Sequence, residues 1–130
     1  IFALEKMNVL QISISNRTRK KADDLKEMFK NLNVIEWGEL NNFDMIINAT
    51  SIGLKEDDSI NLDFSKCGRN KFFYDVIYNP KKTNFLKKGE ELGNISENGK
   101  MMFIFQALAS FNIWHGFKPK VSEKTIKILD

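Results

Sequence analysis

Apolar and polar positions alternate over residues 10–15, LQISIS, and the run is rich in Ile, which predicts a strand. The period then changes. In TRKKADDLKEMFKNL the residues Ala22, Leu25, Met28, Phe29 and Leu32 fall on one helical face, so a helix follows the strand. VIEW, 34–37, reads as a short strand, and FDMIINATSIG places the apolar run Met45 to Ile47 before a polar turn ending in Gly53. KEDDSINLDFSKCGRN has no period and reads as loop. KFFYDVIYNP is β-branched and aromatic, and its strand must end near Pro80. Thr83 is placed to cap a helix NFLKKGEELG closed by Gly93, NGKMMFIFQALASFNIWHG predicts an apolar helix from Gly99 towards Gly116, and Ser122 caps a short last helix. The chain opens IFALEKMN, where Phe2, Ala3, Lys6 and Met7 recur at helical spacing without an initiator Met, so a helix already under way is expected and with it a preceding segment. Strands alternating with helices predict an α/β fold with a parallel sheet covered on both faces, because parallel pairing needs a crossover connection.

Composition narrows the class. With 130 residues and 42% hydrophobic content, one domain with a real core is expected. The net charge of +3 arises from 20 basic and 17 acidic residues spread along the chain, so no polybasic arm points to nucleic acid or a membrane surface. No apolar run reaches the roughly 18 residues of a membrane span, and no signal-peptide pattern is present. The single cysteine, Cys67, permits no internal disulfide, and a reducing cytoplasm is expected. Cys67 and His115 are too few and too far apart for a metal site, and the acidic EDD at 56–58 reads as a solvated loop.

One local feature departs from ordinary helix design. Arg17, Arg19, Lys20 and Lys21 crowd the start of the first long helix, where the helix dipole makes cations unfavourable by roughly 0.3–1 kcal/mol each. In doubly wound dinucleotide folds an acid at the end of the second strand accepts hydrogen bonds from the ribose 2′-hydroxyl of NAD, whereas an Arg there accommodates the 2′-phosphate of NADP. SISNRT has Asn16 and Arg17 at the strand end and no acid until Asp23. A bound phosphate would reconcile the cations with the dipole, and Arg17 could also lay its planar guanidinium on adenine. The alternative is a solvated basic face.

Four motifs together carry a resemblance. NRTRKKA, IINATSIGL, FYDVIYNPKKTNFLKKGEELG and NGKMMFIFQALASFNIWHGFKP resemble, in order and spacing, the cofactor-binding half of shikimate dehydrogenase over roughly residues 8–119. The resemblance implies a Rossmann-like doubly wound parallel sheet, incomplete at its N-terminus, followed by C-terminal helices. Residues 1–98 would form an NADP-binding domain lacking its first strand and Gly-rich loop, and 99–130 would pack on an N-terminal catalytic domain that this chain lacks. It implies NADP as cofactor and shikimate or 3-dehydroshikimate as substrate. Asn16, Arg17, Thr18, Arg19, Lys20 and Lys21 would meet the 2′-phosphate end of NADP, with Arg17 the main contact. The NATS turn, with Ala49, Thr50 and Ser51, would lie against the cofactor, Val76 would approach the nicotinamide through its backbone, and Gly99 and Met102 would contact the same end. Tyr78 and Gln106 would touch the substrate.

For Gly99, Met102 and Gln106 a physical argument stands beside the resemblance, since separations of three and four place them on one helical stripe. Gln106 is also the only strongly polar side chain between Met101 and Ser110. Buried without partners its amide would cost about 1–3 kcal/mol, so it would need a polar group to face. The proton-transfer residues of the family belong to the preceding domain, so no catalytic residue is assigned in this chain. Lys100 stands where related sequences often carry an apolar residue, and His115 needs no ligand role. Two alternatives remain open: a non-catalytic nucleotide-binding fragment, and a quinate/shikimate dehydrogenase using NAD, which Arg17 disfavours.

Overall fold

The computed structural model describes residues 1–129, which divide into two compact units: Ile1–Asn41 with Asn61–Phe64, and Asn42–Ile60 with the described residues from Ser65 onward. The element order is α1 (Phe2–Lys6), β1 (Ile12–Ile14), α2 (Arg19–Met28), β2 (Leu32–Val34), β3 (Met45–Asn48), β4 (Phe72–Asp75), α3 (Asn84–Glu91), β5 (Ile95–Asn98), α4 (Lys100–His115) and α5 (Glu123–Ile128). Every strand pair is parallel. The α/β class expected from the alternating periods is therefore the class observed, as a two-stranded sheet β1-β2 and a three-stranded sheet in the order β3-β4-β5.

In the first unit β1 pairs with β2 from Ile12↔Leu32 to Ile14↔Val34, and the Ile35 N–H extends the ladder to the Ile14 carbonyl at 3.0 Å. Ile12, Ala22, Leu32 and Phe64 are buried. Two sequence expectations shift here. Helix α2 ends at Met28 because Phe29 turns extended, so Leu32 belongs to β2, and Met28, expected on the inner face, is exposed. The strand expected at VIEW lies at Leu32–Val34 instead and shares only Val34 with it.

The second unit is built around Phe73, which is fully buried on β4. Its ring packs against Phe85 at 5.2 Å between centroids and edge-on against Phe43 at 6.0 Å. Helix α3 comes so close that a Cβ on Gly89 would stand 2.6 Å from the Phe73 ring, which is why a glycine sits in the middle of that helix. Thr83 caps α3 by accepting the Leu86 N–H, as expected, and Gly93 at φ +78 follows its end. Strand β5 had no forecast. Helix α4 runs as predicted and ends at Gly116 in the left-handed region. Along α4 only Ile104 is buried, while Phe105, Ile113 and Trp114 are 62%, 79% and 75% exposed.

Candidate functional site: the carboxyl edge of the parallel sheet

Strands β3, β4 and β5 end in register. Asn48 lies beside Asp75, and Asp75 beside Asn98, so three polar residues close three neighbouring parallel strands in one row. The next residues along each strand are Ala49, Val76 and Gly99. These are three of the positions that the family resemblance assigns to the cofactor, brought to one sheet edge from well-separated stretches of sequence. The carboxyl edge is where ligands sit in open α/β sheets, because the loops there leave the strands and their backbone groups are not consumed by further pairing.

The backbone joins them tightly. The Val76 N–H donates to the Asn48 carbonyl at 3.0 Å, and the Gly99 N–H donates to the Ile77 carbonyl at 3.2 Å. A Cβ on Gly99 would stand 2.0 Å from the Val76 carbonyl oxygen, so only glycine permits this approach. Asn98 fixes the entry to α4: its Oδ1 accepts the Lys100 N–H at 3.0 Å and its Nδ2 donates to the Lys81 carbonyl at 2.9 Å.

Beneath the edge lies a buried polar network. Asp75 is fully buried, and its carboxylate accepts the Ile77 N–H at 3.0 Å, the Thr83 hydroxyl at 2.6 Å and the Asn48 amide at 3.1 Å. The Asn48 amide also donates to the Ile52 carbonyl at 2.9 Å, and its Oδ1 accepts both the N–H and the hydroxyl of Thr50, at 3.0 and 2.7 Å. Among the described residues no fully buried side-chain nitrogen or oxygen is left without a partner. Nothing local in the sequence marks Asp75 for this role, because its side-chain partners Asn48 and Thr83 lie 27 and 8 residues away.

Of the substrate-side residues, Tyr78 is half-buried and stacks on Phe103 of α4 with centroids 4.6 Å apart. Gly99, Met102 and Gln106 share a stripe at the start of α4, as their spacing requires. The premise that Gln106 is a buried amide is corrected, because it is exposed and its amide reaches solvent without cost. Met102 is 40% exposed. Ala49 and Ser51 are exposed, while Thr50 is half-buried through its bond to Asn48. An open cavity of about 320 Å³, lined by Lys55, Asn79, Pro80 and Thr83 among others, involves none of Ala49, Val76, Gly99 or Met102 and shares only Thr83 with the network beneath this edge.

The cation cluster belongs to the first unit, and its members differ. Asn16 donates to the Thr18 carbonyl at 2.8 Å, and Thr18 is the N-cap of α2 without a side-chain bond to any helix N–H. Arg19 is spoken for, with Nε on Asp23 at 3.1 Å and Nη1 on Glu36. These carboxylates, Asp23 first through its hydrogen bond, raise the Arg19 pKa further. Arg17, Lys20 and Lys21 are exposed, and their side chains have no hydrogen-bond or ion-pair partner among the described residues. An uncapped helix start with unpaired cations fits an anion, and Arg17 fits it better than Arg19 does.

Elsewhere two groups are shifted. Burial raises the Tyr74 phenol, with Glu97 beside it on β5 adding to the effect. Lys82 and Ser96 hydrogen bonds lower the Glu90 carboxyl. No group of His, Cys, Asp or Glu among the described residues could hold a metal, and no described helix is long and apolar enough to cross a membrane.

Parallel strands, two of the three pairs joined through a helix, and a carboxyl edge of close backbone approaches define a Rossmann-like α/β fold. Within it, the whole chain is homologous to shikimate dehydrogenase. It is 55% identical over 130 residues to the shikimate dehydrogenase (NADP(+)) of Pelagibacter ubique (strain HTCC1062), covering 100% of this chain and 49% of that protein. It is 40% identical over 122 residues to that of Caldicellulosiruptor saccharolyticus, covering 88% of this chain and 44% of the relative. Among solved structures, shikimate 5-dehydrogenase from Thermus thermophilus in complex with NADP(H) and shikimate matches with a TM-score of 0.83 at 26% identity, over 99% of this chain and 49% of that one. The chain spans about half the length of the relatives it matches. No protein-family model matches it.

Proposed function

We propose that this chain is the cofactor-binding half of an NADP-dependent shikimate dehydrogenase, acting in the cytoplasm in aromatic amino acid biosynthesis. The enzyme would catalyse reversible hydride transfer between NADPH and 3-dehydroshikimate, giving shikimate. The observation that carries the reading is the convergence of Ala49, Val76 and Gly99 on one carboxyl edge. Arg17 would bind the 2′-phosphate in a charge-assisted bond, with Asn16, Thr18, Lys20 and Lys21 lining the same helix start and Arg19 held back by its two carboxylates. Ala49, Thr50 and Ser51 would lie against the cofactor, and Val76, Gly99 and Met102 would receive its nicotinamide end, where the Val76 backbone and the bare Gly99 leave room for a flat ring. Tyr78 and Gln106 would orient the substrate, the exposed Gln106 amide offering both a donor and an acceptor to a hydroxyl.

In this reading residues 1–98 are the NADP-binding domain, and 99–130 pack on a catalytic domain that brings the proton-transfer residues. The exposed Phe105, Ile113 and Trp114 of α4 suit such a neighbour. A fluorescence titration comparing NADPH with NADH tests the cofactor assignment. NADPH should bind at least about tenfold more tightly, from the extra charge-assisted contact. Equal affinities would remove Arg17 from the site and favour an NAD-linked enzyme.

A further inference from the structure

We propose that Asp75, with Asn48 and Thr83, is a positioning centre: it touches no ligand, and it fixes the NATS turn and residues 76–78 in the geometry a nicotinamide end requires. The inference rests on the reading of the carboxyl edge as a cofactor site.

A buried carboxylate is an expensive way to fill a core. Stripped of water it loses stability that an apolar residue of the same size would keep, unless every lone pair is directed at a donor. Asp75 has no exposed surface, and its three donors come from three segments: Asn48 at the end of β3, Ile77 in the turn after β4, and Thr83 at the cap of α3. Its own backbone already lies in the sheet ladder, so the side chain is not needed to pair the strands. What the side chain adds is direction for the loops.

Asn48 carries the constraint outward. With its amide spent on Asp75 and Ile52, its Oδ1 holds both the N–H and the hydroxyl of Thr50, and that hydroxyl accepts the Ile52 N–H at 3.1 Å. On the other side, the Asn48 carbonyl takes the Val76 N–H and so anchors the preceding peptide, while Asp75 takes the Ile77 N–H, the one donor of the peptide between Val76 and Ile77. That peptide is the one packed against Gly99. Asp75 thus sets the orientation of the Val76 carbonyl without reaching the surface. An acceptor-only group is required, since an amide at 75 would turn an NH₂ towards at least one of the three donors.

The test uses the complete enzyme of the proposed reading and two probes: NADP+, and adenosine 2′,5′-bisphosphate, which carries the 2′-phosphate and no nicotinamide. Thr83→Val keeps shape and removes the hydroxyl, and Thr83→Ser keeps the hydroxyl. Thr83→Val removes both the hydroxyl's bond to Asp75 and the cap on the Leu86 N–H; it should weaken NADP+ by about 5- to 50-fold and leave the bisphosphate within about twofold. Thr83→Ser should restore NADP+ binding. Amide hydrogen exchange at Thr50 and Ile77 should quicken about tenfold or more in Thr83→Val. If Thr83→Val does not fold, Asn48→Ser carries the same comparison. Parallel loss of both probes, or loss of neither, overturns the proposal. If the unaltered enzyme binds neither nucleotide, the cofactor reading fails on its own account; unchanged exchange at Thr50 and Ile77 overturns the positioning role separately.

Discussion

Replacing Gly99 by Ala puts a methyl group where the structure has no room. The added Cβ would meet the Val76 carbonyl oxygen at 2.0 Å and its carbon at 2.5 Å, whereas ordinary contact begins at 3.4 Å. Neither partner is a flexible side chain that could swing away. Gly99 is tied by its N–H to the Ile77 carbonyl, Lys100 to Asn98, and Val76 to Asn48, so a gap of about 1.4 Å must open by breaking ladder bonds or bending backbone. Overpacking of this kind costs about 1–3 kcal/mol, and Ala returns about 0.4–1 kcal/mol by reducing the freedom of the unfolded chain. The net loss is about 1–2 kcal/mol, which for a typical urea dependence lowers the denaturation midpoint by about 1 M. Gly116→Ala is the control. Its backbone is left-handed, at φ +74, but nothing lies within 4 Å of its Cβ position, so it should lose about 1–2 kcal/mol through dihedral strain alone. Amide chemical shifts separate the two: Gly99→Ala should move Val76, Ile77 and Asn98, and Gly116→Ala should not. A Gly99→Ala chain with an unchanged urea midpoint and unmoved Val76 and Ile77 amides would refute the close approach on which the site rests.

Arg17→Ala should weaken NADP+ binding by about 1.5–3 kcal/mol in a calorimetric titration, while Arg19→Ala, whose guanidinium already serves Asp23 and Glu36, should weaken it far less; equal losses would refute the distinction. In the complete enzyme of the proposed reading, Gln106→Ala should raise the Michaelis constant for shikimate with NADP affinity barely changed, and no change in either constant would place Gln106 outside the site. Tyr74 has a folded pKa above its ordinary value of 10.0, so the folded chain keeps that proton where the unfolded chain loses it. Its contribution is full below about pH 10 and is lost as pH rises through the higher folded value, so in urea titrations Tyr74→Phe should show a shallower alkaline loss of stability. Glu90, lowered by Lys82 and then Ser96, runs the other way: its contribution is present above its ordinary 4.5 and lost as pH falls, and Glu90→Gln should flatten the acid limb of the same titration.

The junctions were legible where chemistry changes abruptly within a few residues. MIINATS and FFYDVIYNP pass from apolar strand to polar turn, and β3 and β4 end at Asn48 and Asp75 accordingly. Thr83 and Ser122 announced α3 and α5, and both cap as expected. Strand β5 escaped because ISEN is four residues long with one apolar side chain, and that one, Ile95, is 64% exposed. Its strand character comes from pairing with β4, which no local pattern reports. The displaced β2 has a similar origin, since the helical period of α2 continues on paper through Phe29 and Leu32 while the chain has already turned. Gln106 was misjudged because a helix apolar on every side gives no clue to which side is covered. The inequality of the cations needed Glu36, 17 residues from Arg19, and the role of Asp75 needed Asn48, 27 residues away.

The row Asn48, Asp75 and Asn98 shows why the edge can be both rigid and bare. Each residue turns its side chain back to hold the loop that follows its own strand, through Thr50, Ile77 and Lys100 respectively. The loops therefore need no bulky side chains of their own to keep their shape, and the positions just beyond the row can be Ala49, Val76 and Gly99. A planar ring stacked on such an edge meets peptide groups and a single branched side chain. The geometry is then set by bonds already made within the protein, one of them fully buried, so little reorganisation is needed when a ligand arrives. The polar row and the small residues just beyond it are thus one arrangement, and a change in either should be felt in the other.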